Sequence, residues 1–305
     1  MKLNRRLFLK VAGAAGAVAA APAATARALT AEEAAAVNSA RRGVLVDTTK
    51  CVGCRACEAA CTETNNQPDP VRLDDPAVFK TVRTTDTRHY TIVNAAYAGA
   101  GAVPARFVKS QCMHCVEPAC ASACLVRALD KTPTGPVVYH KDRCLGCRYC
   151  MVACPFTMPK YEYDSPTPFV QKCSFCADRQ SRGEAPACTS VCPSGALTFG
   201  MRDELIETGR ERLYAKGSKY VRQIFGEHEV GGTSWMYITD IPFDKLGLPI
   251  DLGTYAYSSL TQASLAAVPF VLTLWPPLLM GMYTFSKRRE QVAAEEAAGK
   301  ETGHE

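Results

Sequence analysis

The chain has 305 residues, of which 47% are hydrophobic and 21% charged, with a formal net charge of +5; that length suffices for two ordinary domains. Lys2, Arg5, Arg6, Lys10 and Arg27 all lie in the first 28 residues, which contain no acid, so basic and acidic residues balance over the remainder. A nucleic-acid footprint needs a basic surplus on the folded part, and none is left. Sixteen cysteines are too sparse for a small disulfide scaffold and too many for an ordinary globular chain.

The N-terminus reads as an address. Asn4-Arg5-Arg6-Leu7-Phe8-Leu9-Lys10 precedes an apolar, alanine-rich run from Val11 to Ala21, and Ala26-Arg27-Ala28 supplies a small-x-small cleavage site. A charged region, a short apolar region and such a site form an export signal rather than a membrane span. The adjacent arginines resemble the twin-arginine type, which carries folded proteins, and cleavage is expected after Ala28. Residues 1–28 are therefore expected to be a signal peptide.

The cysteines then arrive in four groups. Cys51, Cys54, Cys57 and Cys61 stand in K-C-V-G-C-R-A-C-E-A-A-C, and Cys144, Cys147, Cys150 and Cys154 in R-C-L-G-C-R-Y-C-M-V-A-C-P. Between them lie Cys112, Cys115, Cys120 and Cys124; after them come Cys173, Cys176, Cys188 and Cys192, with eleven residues separating the second and third. In such a run three thiolates reach three corners of one [4Fe–4S] cubane, and the fourth ligates another cluster. A tetrahedral zinc takes two C-x-x-C pairs rather than triplets with a trailing cysteine. Disulfides between sulfurs at every third residue of a tight loop have poor geometry. The count, with no cysteine spare, predicts four [4Fe–4S] clusters.

Short apolar runs precede two of the groups, Val44-Leu45-Val46 and Val137-Val138-Tyr139, and read as brief strands. The C-x-x-x-C ends, such as that closing at Cys154, fit first turns of helices. The repeat of E-P-A-C-A-S-A-C in A-P-A-C-T-S-V-C points to duplication. The expected fold class is α+β: two tandem bacterial-ferredoxin-like units with much irregular structure, spanning residues 29–200. Thr62 and Leu125 stand where Pro155 and Pro193 follow their cysteines, which loosens a turn without removing a ligand. His114 already has four cysteines around it and reads as a packed residue or one that tunes a cluster from behind its ligands. His89, His140, His228 and His304 are isolated. Lys109, Arg143, Arg148 and Lys172 flank the motifs, as charges that offset a cluster or as solvated surface groups. Glu58, Asp130 and Asp142 find no partner for acid–base work, and no phosphate loop or nucleophile–base pair occurs. The chain is expected to be no enzyme but an electron carrier.

After Gly200 the cysteines stop. Residues 202–216 carry Leu205, Leu213 and Tyr214 at helical spacing and predict a short surface helix. Residues 201–258 are expected to form an extension and docking segment. No formal charge lies between Asp251 and Lys287, and Ala263 to Phe285 is long enough for the roughly 20 residues a bilayer needs. A transmembrane anchor over 259–286 is expected, kinked by Pro269, Pro276 and Pro277. Lys287-Arg288-Arg289 follows, which places the tail, 287–305, in the cytoplasm. The anchor contains no histidine and so no haem ligand.

Together, the twin-arginine leader, V-D-T-T-K-C-V-G-C-R-A-C, Q-C-M-H-C-V-E-P-A-C, C-L-G-C-R-Y-C-M-V-A-C-P, G-G-T-S-W-M-Y and the terminal span resemble the membrane-anchored iron–sulfur subunit of periplasmic uptake [NiFe] hydrogenases of the hydrogenase-2 type. The wider family is shared with the beta subunit of respiratory formate dehydrogenase and related molybdopterin oxidoreductases, which is the alternative reading. The leader favours hydrogenase. The resemblance implies electron flow between a hydrogenase small subunit and an integral quinone-reactive subunit, at the periplasmic face of the membrane, with lipid around one helix. With the repeat, it implies four ligand sets. Cluster 1 would be held by Cys51, Cys54, Cys57 and Cys192, and cluster 2 by Cys61, Cys173, Cys176 and Cys188. Cluster 3 would take Cys112, Cys115, Cys120 and Cys154, and cluster 4 Cys124, Cys144, Cys147 and Cys150. Anaerobically prepared protein should accordingly hold close to sixteen irons and sixteen acid-labile sulfides. Eight irons, or stoichiometric zinc, would exclude four clusters.

Overall fold

The computed structural model describes residues 40–97 and 106–301, apart from the side chains of 262–266 and 297–301. The expected signal peptide, its cleavage site and His304 lie outside the described residues. From Ala40 onward the chain forms one unit. The α+β expectation holds: short strands and helices alternate with long irregular stretches, and one long apolar helix ends the chain.

Strand β1 (Arg42–Asp47) is the middle of a three-stranded sheet, with β8 (Leu197–Met201) antiparallel on one side and β9 (Trp235–Ile238) parallel on the other. A central strand is covered on both faces, which is why Val44-Leu45-Val46 is an unbroken apolar run. Its side chains alternate between two cores. Val44 and Val46 face Trp235, Tyr237 and the cysteine-bearing body. Leu45 faces the other way, against Leu205, Ile206 and Leu213 of the helix Arg202–Tyr214, here α6, and against Met236 and Ile238. The helix is thus no free surface element: Leu205 and Leu213 are buried, and of the predicted stripe only Tyr214 is exposed. Segment 201–258 supplies β9 and so completes the sheet.

Strand pairing decides which motifs become neighbours. β1 runs into Cys51, and β8 begins just beyond Cys192; their register, Val46 opposite Leu197, brings the first and last groups together. In the same way β4 (Leu129–Lys131), after Cys124, pairs with β5 (Val137–Tyr139), before Cys144, and joins the two middle groups. One ferredoxin-like unit is therefore inserted within the other. Two further hairpins, β2–β3 (Thr91–Ala96, Arg106–Gln111) and β6–β7 (Lys160–Tyr161, Val170–Gln171), pack around them.

Glu58 on helix α1 (Ala56–Thr64) has a structural role. It is buried, paired with Arg55 at 3.2 Å and Arg83 at 2.6 Å, and accepts the Val93 N–H at 2.5 Å, which holds α1 against β2. The last helix, α7 (Ser258–Glu301), begins against α2 (Ala119–Ser122) and runs beyond the expected anchor into the basic tail. Within it, Ala267–Glu296 is long and apolar enough to cross a membrane, and its most apolar stretch buries nothing against the protein.

Because Leu45 faces away from the cysteines, its packing can be tested apart from iron binding. Leu45→Ala should cost about 2–5 kcal/mol of stability. Cluster absorbance should be lost at a lower temperature on heating, while iron content at low temperature stays at the parent value.

Candidate metal centre

Each motif solves the same local problem. The loop must turn tightly enough to aim its first three sulfurs at one point. In the first and third motifs the residue before the second cysteine is Gly53 or Gly146, both at φ +70°. A Cβ on Gly53 would stand 2.6 Å from the Phe107 ring, and one on Gly146 2.8 Å from the Tyr161 Oη, so only glycine fits. Arg55 and Arg148 then take the same left-handed conformation, φ 61°, and cap α1 and α3 (Tyr149–Ala153).

Those helices carry the third cysteine of each motif, and the fourth comes four residues later. Cys57 and Cys61 lie on α1; Cys150 lies on α3, with Cys154 at its end. Cys120 lies on α2 and Cys188 on α5 (Ala187–Ser190), with Cys124 and Cys192 four residues on. Positions i and i+4 of a helix are about 5–6 Å apart at Cβ, so one short helix can serve two adjacent sites.

The sulfurs gather as that geometry requires. Cys51, Cys54, Cys57 and Cys192 line one cavity, and Cys61, Cys173, Cys176 and Cys188 line a second. Cys115 interacts electrostatically with Cys112, Cys154 and Cys120, and Cys150 with Cys124, Cys147 and Cys144. No cysteine is in a disulfide. Among the described residues no three His, Cys, Asp or Glu converge as the ligands of a single ion would; eight of the sulfurs surround two cavities instead, which suits a cubane.

Burial pushes the thiols of Cys57, Cys61 and Cys120 up to about 12 and that of Cys150 up to about 11. Without metal these sites hold protons at neutral pH, and ligation must displace them. Backbone N–H groups already point at sulfur, Ala128 at Cys124 (3.1 Å) and Phe175 at Cys173 (3.3 Å). Such bonds tune a cluster.

The four flanking cations divide. Lys109 and Lys172 are buried, whereas Arg143 and Arg148 are exposed, the latter over the rings of Tyr161 and Tyr163. Lys109 touches both cavities lined by cysteine. Lys172 donates to the carbonyls of Val137 and Cys173. His114 is packed: its Nδ1 accepts the Val137 N–H at 2.9 Å, its ring stacks on Phe175 at 5.0 Å, and burial lowers its pKa well below the usual value. Of the isolated histidines, His89 pairs with Asp86 and His228 with Glu227.

Two residues escaped the sequence reading. Asn65 Nδ2 lies 3.5 Å from Cys61 Sγ, one helical turn beyond it. Trp235 is buried on the wall of the second cavity, and its indole Nε1 has no hydrogen-bond partner. A buried N–H without an acceptor is costly, and a cluster sulfide in that cavity would satisfy it. The residues present thus fit a [4Fe–4S] group. The G-G-T-S-W-M-Y segment marked Trp235 only by resemblance; nothing in its spacing ties it to cysteines more than forty residues away.

Comparison with known proteins agrees with this chemistry. Residues 103–202, which include the second, third and fourth cysteine groups, match the 4Fe-4S dicluster domain. A protein of Nitratidesulfovibrio vulgaris is 44% identical over 97% of this chain and 80% of its own length. Hydrogenase-2 operon protein HybA of Escherichia coli O157:H7 is 39% identical over 73% of this chain and 78% of its own. The iron–sulfur subunit of the nitrate-inducible formate dehydrogenase of Escherichia coli K12 is 33% identical over 75% and 80%. With its sixteen cysteines in place, the chain is an electron-transfer iron–sulfur protein with four [4Fe–4S] clusters, and it belongs to the family that contains HybA and the formate dehydrogenase iron–sulfur subunits.

Proposed function

We propose that the chain is a non-catalytic wire, carrying electrons between a hydrogenase and a quinone-reactive subunit in the membrane. The observation that carries this reading is the continuity of the cysteine sets. α1 turns Cys57 toward one cavity and Cys61 toward the next, and Cys112 is among the charged neighbours of Cys173. The assignment that accounts for it is the four-set one: Cys51, Cys54, Cys57 and Cys192; then Cys61, Cys173, Cys176 and Cys188; then Cys112, Cys115, Cys120 and Cys154; then Cys124, Cys144, Cys147 and Cys150. When bound, the clusters supply reversible one-electron storage. The protein's own groups exclude water, direct N–H dipoles at sulfur and carry Cys54 and Cys147 to the surface, where the chain of sites meets its partners.

Hydrogenase is preferred to formate dehydrogenase because HybA is the more similar of the two kinds of relative, 39% against 33%, and because of the Arg5-Arg6 leader. Export through the twin-arginine route would put the cluster body in the periplasm. α7 would then cross the membrane, with Lys287, Arg288 and Arg289 on the cytoplasmic side. One spanning helix anchors far more firmly than surface contacts.

Two experiments test these statements. Replacing Arg5 and Arg6 together by lysine should leave uncleaved, cluster-loaded protein in the cytoplasm; arrival in the periplasm would overturn the route. Ending the chain after Tyr255 removes α7 but keeps every cysteine, and keeps the Gly253 and Thr254 carbonyls that accept from Val230 and Gly231. The truncated protein should be soluble and cluster-loaded. Hydrogen oxidation with a soluble dye should persist while hydrogen-dependent quinone reduction falls sharply. Loss of both rates would assign the chain a role in catalysis or assembly, and retention of both would move the docking surface off the helix.

A further inference from the structure

Among the described residues, Lys109 is the one cation that lines both cysteine cavities. It stands on β3, is only 2% exposed, and reaches the first cavity beside Cys51, Cys57 and Cys192 and the second beside Cys61, Cys173 and Cys188. Its Nζ donates to Gln111 Oε1 at 2.9 Å and lies 4.4 Å from the centre of the Trp235 ring. Gln111 in turn donates to the Tyr237 hydroxyl (2.8 Å), which donates to the Lys109 carbonyl (2.8 Å). This closed circuit fixes the ammonium in place.

The circuit does not neutralise it. An amide oxygen and an indole face are weak partners for a fully buried charge, and a buried ion without a counter-charge costs several kcal/mol. The strongest opposite charges acting on Lys109 are the sulfurs of Cys188, Cys57 and Cys173 and the Tyr237 oxygen. Conversely, Lys109 favours the thiolate at Cys51, Cys57, Cys61, Cys173 and Cys176, against their burial. A tetrathiolate [4Fe–4S] site is net negative and gains one more negative charge on accepting an electron. A fixed ammonium therefore favours the reduced state of each site it faces, and here it faces two. Trp235, beneath the ammonium, adds its unpartnered N–H on the second cavity alone.

We propose that Lys109, held over Trp235 and Gln111, is the shared positive charge that raises the reduction potentials of clusters 1 and 2 together, leaving clusters 3 and 4 to other groups. Lys109 is a positioning residue for electron transfer, since it ligates nothing. The inference rests on the ligand sets proposed above for those two clusters.

The test is a redox titration of the full-length protein followed by electron paramagnetic resonance, for the parent, Lys109→Met and Lys109→Arg. Lys109→Met should shift two of the four cluster signals at least tenfold against reduction, about 59 mV downward for a one-electron couple, with iron content unchanged. Lys109→Arg should hold both near the parent. Should Lys109→Met lose iron, Lys109→Gln replaces it, and Gln and Arg titrating alike would overturn the proposal. So would unmoved potentials in Lys109→Met, or an equal shift of all four clusters. Cys61→Ser and Cys192→Ser separate the two layers of the argument, each being expected to alter one of the signals that Lys109→Met shifts. If the serine variants alter those signals but Lys109→Met moves nothing, the lysine role is wrong and the ligand sets stand. If Lys109→Met moves two signals and the serine variants alter others, the ligand sets are wrong and the lysine role stands.

Discussion

The third and fourth cysteines of every motif are four residues apart, at the start of a short helix or just past its end. That spacing places the two sulfurs within one turn of each other while letting them serve different sites. Much of the body follows from it. α1 and α3 are entered from left-handed residues, Arg55 and Arg148, through narrow loops that need Gly53 and Gly146, whereas α2 and α5 are entered from the extended Pro118 and Pro186. Two sites that share such a helix are separated by a distance that helix geometry sets, rather than domain packing.

Burying so much sulfur creates an electrostatic problem, which the fold meets with few charges. Desolvation alone holds the thiols protonated, so iron binding works against the interior until cations and N–H dipoles are aimed at the sulfurs. Lys109 and Lys172 are buried among the motifs, and each has its hydrogens directed at oxygens that hold it still. Glu58 is buried as well, yet its charge is matched locally by Arg55 and Arg83. It braces α1 against β2.

The terminal helix has the length and composition of a membrane span. Among the described residues, the most apolar stretch of α7 buries nothing against the protein, and Phe270, Leu272, Trp275, Leu278 and Leu279 are all large and exposed. In water such a stripe would be an aggregation hazard; in lipid it is ordinary. It also packs against α2 of the cysteine-bearing body.

Sequence alone determined the chemistry of this protein, because that chemistry is local. Cysteine spacing within a dozen residues specifies a cubane loop, an alternating or continuous apolar run specifies a strand, and an uncharged stretch of bilayer length specifies a span. What depends on distant contacts was left to the tertiary structure. Motif 1 joins motif 4 because β1 and β8 pair across some 150 residues, a closure that the repeat suggests but only the sheet enforces. The helix after Gly200 has an apolar stripe legible in Leu205 and Leu213, but the strand it covers, through Leu45 and Met236, is supplied by two remote segments. Lys109 and Arg143 are equal on paper, each a cation beside a motif. One is sealed between two cavities and the other stands in solvent, and that difference is burial, which no run of neighbouring letters encodes.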